Sequence, residues 1–182
     1  MRVRPLALAD VLWIEPDVFR DERGYFLETW QQQSYATAGI AATFVQDNLS
    51  HSQRWTLRGL HYQVQQPQGK LVRVIAGEVF DVAVDLRRSS PTFGRSVGVR
   101  LTAAGLHAIW VPPGFAHGFL ALTEVAAVQY KVTDYRLPAA ERVLAWNDPD
   151  LGIDWPLPSG VHPVLSDRDR NGRRLQEAET FA

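Results

Sequence analysis

The sequence predicts an all-β sandwich or barrel with a few short peripheral helices. Three observations predict it. Apolar residues recur with a period of two in one stretch after another, as they do where a pleated strand buries one face. The gaps between these stretches hold turn residues: Gln66-Pro67-Gln68-Gly69, Ser89-Ser90-Pro91 and Ala103-Ala104-Gly105. Helical signals are confined to one short segment. Many short strands at close spacing, separated by Gly and Pro turns, form sandwiched or closed sheets.

In chain order, residues 1–44 are expected to hold strands plus that helix, which spans Thr29 to Ala38 and stops at Gly39. Residues 45–144 are expected to form the barrel. Lys70, Val72, Val74 and Ala76 share one strand face, ended by the turn at Gly77-Glu78. Phe80, Val82, Val84 and Leu86 share a face of the next strand, with Asp81 and Asp85 opposite. Val97, Val99 and Leu101 mark another. His107 to Val111 reads as a strand ended by Pro112-Pro113-Gly114, and Phe119 to Leu122 as the one after it. Val128, Tyr130 and Val132 alternate with Gln129, Lys131 and Thr133. The tail, 145–182, is rich in Pro, Asp and Arg and is expected to wrap the outside, which makes 1–182 a single domain.

Composition narrows the function classes. The chain has 182 residues, 46% hydrophobic and 21% charged, which excludes whole-chain disorder. A chain of this size buries roughly 70% of its unfolded surface and needs no covalent or metal staple. It has no cysteine, which excludes a disulfide scaffold, a thiolate zinc site, an iron–sulfur cluster and a cysteine nucleophile. Nineteen Lys and Arg balance twenty Asp and Glu, so no overall field draws the protein to nucleic acid or anionic lipid. No apolar run approaches the roughly 18 residues of a membrane span. The basic start Met1-Arg2-Val3-Arg4-Pro5 imitates a signal-peptide head, but Asp10 interrupts the apolar stretch behind it, so a cytoplasmic protein is expected.

Candidate chemistry lies where polar residues fall on apolar faces. Tyr130 sits between Val128 and Val132, and Lys70 begins the Val72/Val74 face. His61 lies in Leu57-Arg58-Gly59-Leu60-His61-Tyr62-Gln63, and His117 follows the turn Pro112-Pro113-Gly114-Phe115-Ala116. Each has a bland alternative. Tyr130 reads equally as a core tyrosine, His61 as a satisfied structural histidine, Lys70 as a surface lysine at a strand end and His117 as a turn brace. Arg58 reads as a solvated strand residue, and Arg23, in Asp21-Glu22-Arg23-Gly24, as part of a surface turn. Asp169 closes Ser166-Asp167-Arg168-Asp169, the spacing of a helix capping box. A metal site is not expected: the five histidines (His51, His61, His107, His117, His162) include no His-x-His pair and no evident third ligand. There is no Gly-x-Gly-x-x-Gly, Walker loop or Gly-x-Ser-x-Gly elbow. Six tryptophans and the Arg/aromatic cluster suit a small ring-bearing anion better than a polymer.

Nine stretches, in order along nearly the whole chain, resemble the dTDP-4-dehydrorhamnose 3,5-epimerases of the cupin superfamily. They are Asp21-Glu22-Arg23-Gly24-Tyr25-Phe26-Leu27-Glu28, Val45-Gln46-Asp47-Asn48, Leu57 to Gln63, and Gly69-Lys70-Leu71-Val72-Arg73. Then come Gly77 to Asp85, Ser90-Pro91-Thr92-Phe93-Gly94, Pro113 to Phe119, Tyr130-Lys131 and Leu165-Ser166-Asp167-Arg168-Asp169. The sequence departs from the family pattern after Asp169, where Arg170-Asn171-Gly172 follows.

The resemblance implies a jelly-roll barrel, a homodimer, no metal or other cofactor, and inversion at C3 and C5 of a dTDP-4-keto-6-deoxyhexose. A proton beside a ketone is weakly acidic, so the reaction needs a base, an oxyanion stabiliser and an acid on the opposite face. The resemblance makes His61 the base, since imidazole titrates near pH ~6.5. Asp169 holds its tautomer, Lys70 faces the C4 oxygen, and Tyr130 returns the proton. It assigns Arg58 and Arg23 to the diphosphate, Gln46 and Asn48 to hydrogen bonds along the ligand, Tyr135 and Phe26 to stacking on thymine, and His117 to the sugar pocket. The segment from Arg23 to Glu28 would reach across the dimer. Other readings are a single-centre epimerase, a 3,4-ketoisomerase, a non-catalytic nucleotide-sugar-binding barrel and a metal-dependent cupin oxygenase.

Overall fold

A computed structural model describes residues 1–182. In chain order the elements are β1 (Arg2–Pro5), β2 (Leu12–Glu15), β3 (Val18–Asp21), β4 (Gly24–Leu27), α1 (Gln32–Thr37), β5 (Gln46–Gln53), β6 (Leu57–Gln63), β7 (Lys70–Ala76) and β8 (Glu78–Asp85). They continue with β9 (Ser96–Thr102), β10 (Ala108–Val111), β11 (Phe115–Ala121), β12 (Val125–Val132), β13 (Glu141–Val143) and α2 (Asp167–Arg170). One sheet runs β1-β2-β10-β7-β12-β5 and the other β13-β6-β11-β8-β9, while β3 and β4 form a separate hairpin. From β5 onward nearly every connection crosses from one sheet to the other, which is the winding of a jelly roll. The fold is an all-β jelly roll with two short helices.

Three apolar layers hold it. Val72, Val74, Val79, Ile109, Phe115, Phe119 and Val128 fill the space between the sheets. The outer face of the first sheet presents Leu71, Ala108 and Trp110, which Tyr35 of α1 and Ile40 cover. The outer face of the second presents Leu60, Val82, Val84 and Leu120, which Leu151, Trp155 and Ala178 cover. Phe80 meets Trp155 edge to face at 5.8 Å.

The alternation in β8 is therefore inverted relative to a half-solvated strand. Val82, Val84 and Leu86 face outward, beneath the chain that follows residue 145, and Asp81 and Asp85 point inward, 1% and 0% exposed. Asp85 is satisfied there by Arg87, Ser90 and Thr92, whose hydrogen bonds outweigh the effect of burial and hold its carboxyl well below the usual carboxylate range.

Several boundaries differ from expectation. The helix is six residues long, because Gln31 caps it: its Oε1 accepts from Ser34 N at 2.6 Å. The strand expected from Phe119 begins at Phe115, which puts His117 in mid-strand rather than in a turn. β5 carries no apolar stripe because its inward residues Gln46, Asn48, Ser50 and Ser52 are polar.

Candidate active site

Between the sheets, at the end where β7 begins and β12 finishes, lies a cavity of about 210 Å³. The first sheet contributes Gln46, Asn48 and Ser50 of β5, Lys70 of β7 and Tyr130 of β12. The second contributes Arg58 and His61 of β6, His117 of β11 and Glu141 of β13.

Arg58 and His61 are three residues apart and would face opposite ways in a regular strand. The pairing of β6 with β11 slips between His117 and Phe119, and this irregularity turns both side chains toward the cavity. It depends on two glycines in close approach. A Cβ on Gly59 would stand 2.7 Å from Gly118 Cα, and one on Gly118 would stand 2.5 Å from the Arg58 carbonyl oxygen.

His61 Nε2 lies 2.5 Å from Asp169 Oδ1. Asp169 also accepts from Ser166 Oγ–H at 2.7 Å and from Gly59 N–H at 3.3 Å. Burial acts to raise the Asp169 pKa, but the hydrogen bonds from His61 and Ser166, the electrostatic attraction of the imidazole and the Gly59 amide outweigh it and hold the group lowered. The cap alternative is also correct: Ser166 caps α2, its Oγ accepting from Asp169 N–H at 3.1 Å. One short helix thus presents the carboxylate to the imidazole.

Lys70 is 7% exposed, and its Nζ donates to the His61 carbonyl oxygen at 3.0 Å. Burial lowers its pKa to about 8 against the attraction of Asp81 and Glu141. The surface-lysine alternative fails because the strand it opens has both faces covered. His117 Nε2 meets Asp81 Oδ1 at 2.8 Å, with both residues buried. Burial raises the Tyr130 pKa, with Arg58 and Arg136 acting to lower it and Glu141 to raise it. Tyr130 and His61 therefore stand on opposite sheets, facing one cavity, and the imidazole has a carboxylate behind it. That arrangement can remove a proton from one side of a bound ring and supply one from the other, beside a buried ammonium able to stabilise an oxyanion.

The structure gathers Gln46, Asn48, Arg58, His61, Lys70, His117 and Tyr130 around the cavity, with Asp169 behind His61. It does not bring Arg23, Phe26, Glu28 or Tyr135 there. Arg23 folds back on Asp21 at 2.5 Å. Phe26 is 70% exposed and pairs with Phe19 across the hairpin. Phe26 and Glu28 line a separate depression beside α1. The reason is topological: β3 and β4 pair only with each other and reach neither sheet. Tyr135 lies in the loop after β12, 63% exposed. The cavity wall also includes Ser50, Gln68, Arg136 and Glu141, which sequence reasoning missed. The polar period of β5 could have found Ser50; no local signal marks Arg136 or Glu141. No three His, Asp or Glu side chains converge as a metal-binding cluster.

Residues 5–177 match the family model described as dTDP-4-dehydrorhamnose 3,5-epimerase. The chain is 53% identical, over 182 residues covering 100% of it and 99% of the relative, to a protein of that name from Pseudomonas aeruginosa. It superposes with TM-score 0.94 and 47% identity on the dTDP-6-deoxy-D-glucose-3,5-epimerase of Legionella pneumophila Philadelphia 1, solved with dTDP-4-keto-L-rhamnose, covering 98% of this chain and 94% of that one. A 3'-monoepimerase from Streptomyces bikiniensis, solved with dTDP-quinovose, gives TM-score 0.87 and 35% identity over 95% of this chain and 87% of its own. A jelly roll with a His–carboxylate pair opposed by a tyrosine, matched in sequence over nearly its full length, leaves one assignment: the chain belongs to the dTDP-4-dehydrorhamnose 3,5-epimerase family.

Proposed function

We propose that the protein inverts C3 and C5 of dTDP-4-keto-6-deoxy-D-glucose, giving dTDP-4-keto-L-rhamnose. The observation that carries this is the opposition of His61, backed by Asp169, to Tyr130 on the other sheet. His61 takes the proton beside the ketone, and the electron pair moves onto the C4 oxygen. Lys70 stabilises that enolate, a donor interaction typically worth about 3 kcal/mol or more. Tyr130 protonates the carbon from the opposite face, which inverts it, and the carbonyl re-forms. Asp169 keeps the imidazole in one tautomer and stabilises the imidazolium. Arg58 takes the diphosphate: its hydrogen bonds go to Ser52 Oγ at 3.0 Å and the His51 carbonyl at 3.2 Å, both neutral, so its charge is left for an anion. Gln46, Asn48 and His117 contact the sugar and its linkage.

Arg23, Phe26 and Glu28 act in a homodimer, reaching the site of the second copy. The exposed Phe19 and Phe26, 64% and 70%, on a hairpin paired with no other strand support that reading. A nucleotide sugar does not cross a bilayer unaided, so the enzyme works in the cytoplasm, where its substrate is made. No helix is long and apolar enough to span a membrane.

Incubation with dTDP-4-keto-6-deoxy-D-glucose in D₂O tests the reaction. Deuterium at both C3 and C5, with the L-lyxo product, supports it. Label at C3 alone points to a single-centre epimerase, the activity named for the Streptomyces bikiniensis relative. A moved carbonyl points to a 3,4-ketoisomerase. No label in a protein that binds the ligand means a non-catalytic barrel.

A further inference from the structure

β7 carries two buried cations on opposite faces. Lys70 points into the cavity, whereas Arg73 points outward with Leu71, because Val72 and Val74 fill the space between the sheets. Arg73 lies buried in mid-sheet, between Ala108 of β10 and Gln129 of β12. No carboxylate pairs with it. Its Nη2 donates to the Thr29 carbonyl oxygen at 2.8 Å, and the hydroxyl of buried Tyr35 donates to the same oxygen at 2.9 Å. Burial lowers the Arg73 pKa, with Tyr35 acting to raise it. Holding a guanidinium out of water is unfavourable unless its hydrogen bonds compensate. What they hold here is one backbone carbonyl.

That carbonyl is the root of the β3–β4 hairpin. Thr29 directly follows Glu28, just after β4 ends at Leu27. The hairpin pairs with no other strand, so its direction is set where its two ends join the body, at β2 and at Thr29. We propose that Arg73, together with Tyr35, is a positioning residue: it fixes that root so that Arg23, Phe26 and Glu28 are aimed into the cavity of the second copy. This rests on the homodimer reading and adds to it the residue that sets the aim. One strand then serves two sites, its own through Lys70 and the second copy's through Arg73.

Steady-state kinetics on Arg73→Met, Arg73→Lys and Tyr35→Phe tests it. Binding groups held off their mark weaken substrate binding without touching the reacting atoms, so KM rises while kcat stays within about twofold. KM is expected to rise about tenfold in Arg73→Met and about threefold in Tyr35→Phe, and to stay within about threefold of wild type in Arg73→Lys, which keeps a charged donor. Hybrid dimers, purified through a different tag on each copy, locate the effect. In a hybrid of Arg73→Met with His61→Ala, the one site that keeps its base receives its hairpin from the copy with Arg73 intact, and its KM is expected to equal that of wild type. In a hybrid of wild type with the double variant Arg73→Met/His61→Ala, the working site receives its hairpin from the altered copy, and its KM is expected to rise about tenfold. The reverse pattern overturns the proposal, because Arg73 then acts on its own site through β7. So does an unchanged KM in Arg73→Met, or an equal KM in the two hybrids. If Arg73→Met does not fold, the same hybrids made with Tyr35→Phe decide it by the same pattern. Sedimentation of wild type separates the two readings: a monomer removes the homodimer reading and the proposal with it. If wild type is a dimer and Arg23→Ala shows the second-copy pattern while Arg73→Met does not, only the role of Arg73 falls; if neither shows it, both fall.

Discussion

Replacing Lys70 with Met should make this protein more stable and leave it nearly inactive. The lysine is 7% exposed and its pKa is lowered from 10.5 to about 8. At 1.36 kcal/mol per pH unit, the folded protein carries about 3 kcal/mol of unfavourable energy for holding Lys70 charged at pH 7. Methionine keeps the length and apolar stem and removes the charge. It also removes the hydrogen bond to the His61 carbonyl, a loss of about 1 kcal/mol. The net gain at pH 7 is about 2 kcal/mol, which in a chain of this size raises the melting temperature by roughly 4–8 °C. The sign with pH is opposite to that of a lysine stabilised by a partner. Between about 8 and 10.5 the unfolded lysine is protonated and the folded one is not. Wild type therefore gains stability from Lys70 as pH rises through that window. Urea denaturation of both proteins from pH 7 to 10 reads this directly: the advantage of Lys70→Met is largest at pH 7 and shrinks above pH 8. Equal or lower stability of the variant at pH 7, or a difference that stays flat to pH 10, would refute the reasoning. Turnover is expected to fall by about 10²–10³-fold, because the enolate oxygen loses its cation.

Asp169→Asn should lower kcat by about 10²–10⁴-fold, since the amide favours the wrong imidazole tautomer and stabilises no imidazolium; steady-state kinetics checks it. The wild-type carboxylate also contributes stability above the ordinary carboxylate range that is lost as pH falls through its lowered folded pKa, so the acid unfolding curves of the two proteins should converge at low pH. Tyr130→Phe removes the acid and leaves the base, so substrate recovered from D₂O should carry deuterium with retained configuration while product formation drops about 10²-fold or more; product formed at the wild-type rate would sink the role given to Tyr130. Trp155→Ala strips a residue that is 8% exposed from the cover over β8 and should cost about 3–5 kcal/mol in urea denaturation.

How much was legible without coordinates follows from which information is local. The period of two in Val79–Leu86 and in Val128, Tyr130 and Val132 marks strands because the pleat acts within a single segment. The same period cannot say which face of β8 is inside. That is decided by Trp155 and Leu151, some seventy residues away, which cover its apolar face and leave Asp81 to brace His117 within the sandwich. β5 was hidden because its inward face is polar, and it is polar because it lines the cavity. The family motifs named His61, Asp169, Lys70 and Tyr130 together; tertiary structure alone put His61 opposite Lys70 and Tyr130 on facing sheets and brought Asp169 of α2 behind His61.

The sequence by itself determined the all-β class, the family and half of the residues lining the cavity, since strand periodicity and contiguous motifs are properties of short segments. Tertiary structure alone decided three further things. A slip in the β6–β11 ladder turns Arg58 and His61 to the same side, and it needs Gly59 and Gly118 in contact across sixty residues. Burial under two sheets converts an ordinary strand-end lysine into one with a lowered pKa. The closed pairing of β3 with β4 keeps Arg23 and Phe26 out of the cavity of their own chain. Each depends on contacts between residues distant in the chain, and hydrogen-bond register and desolvation exist only once those contacts form.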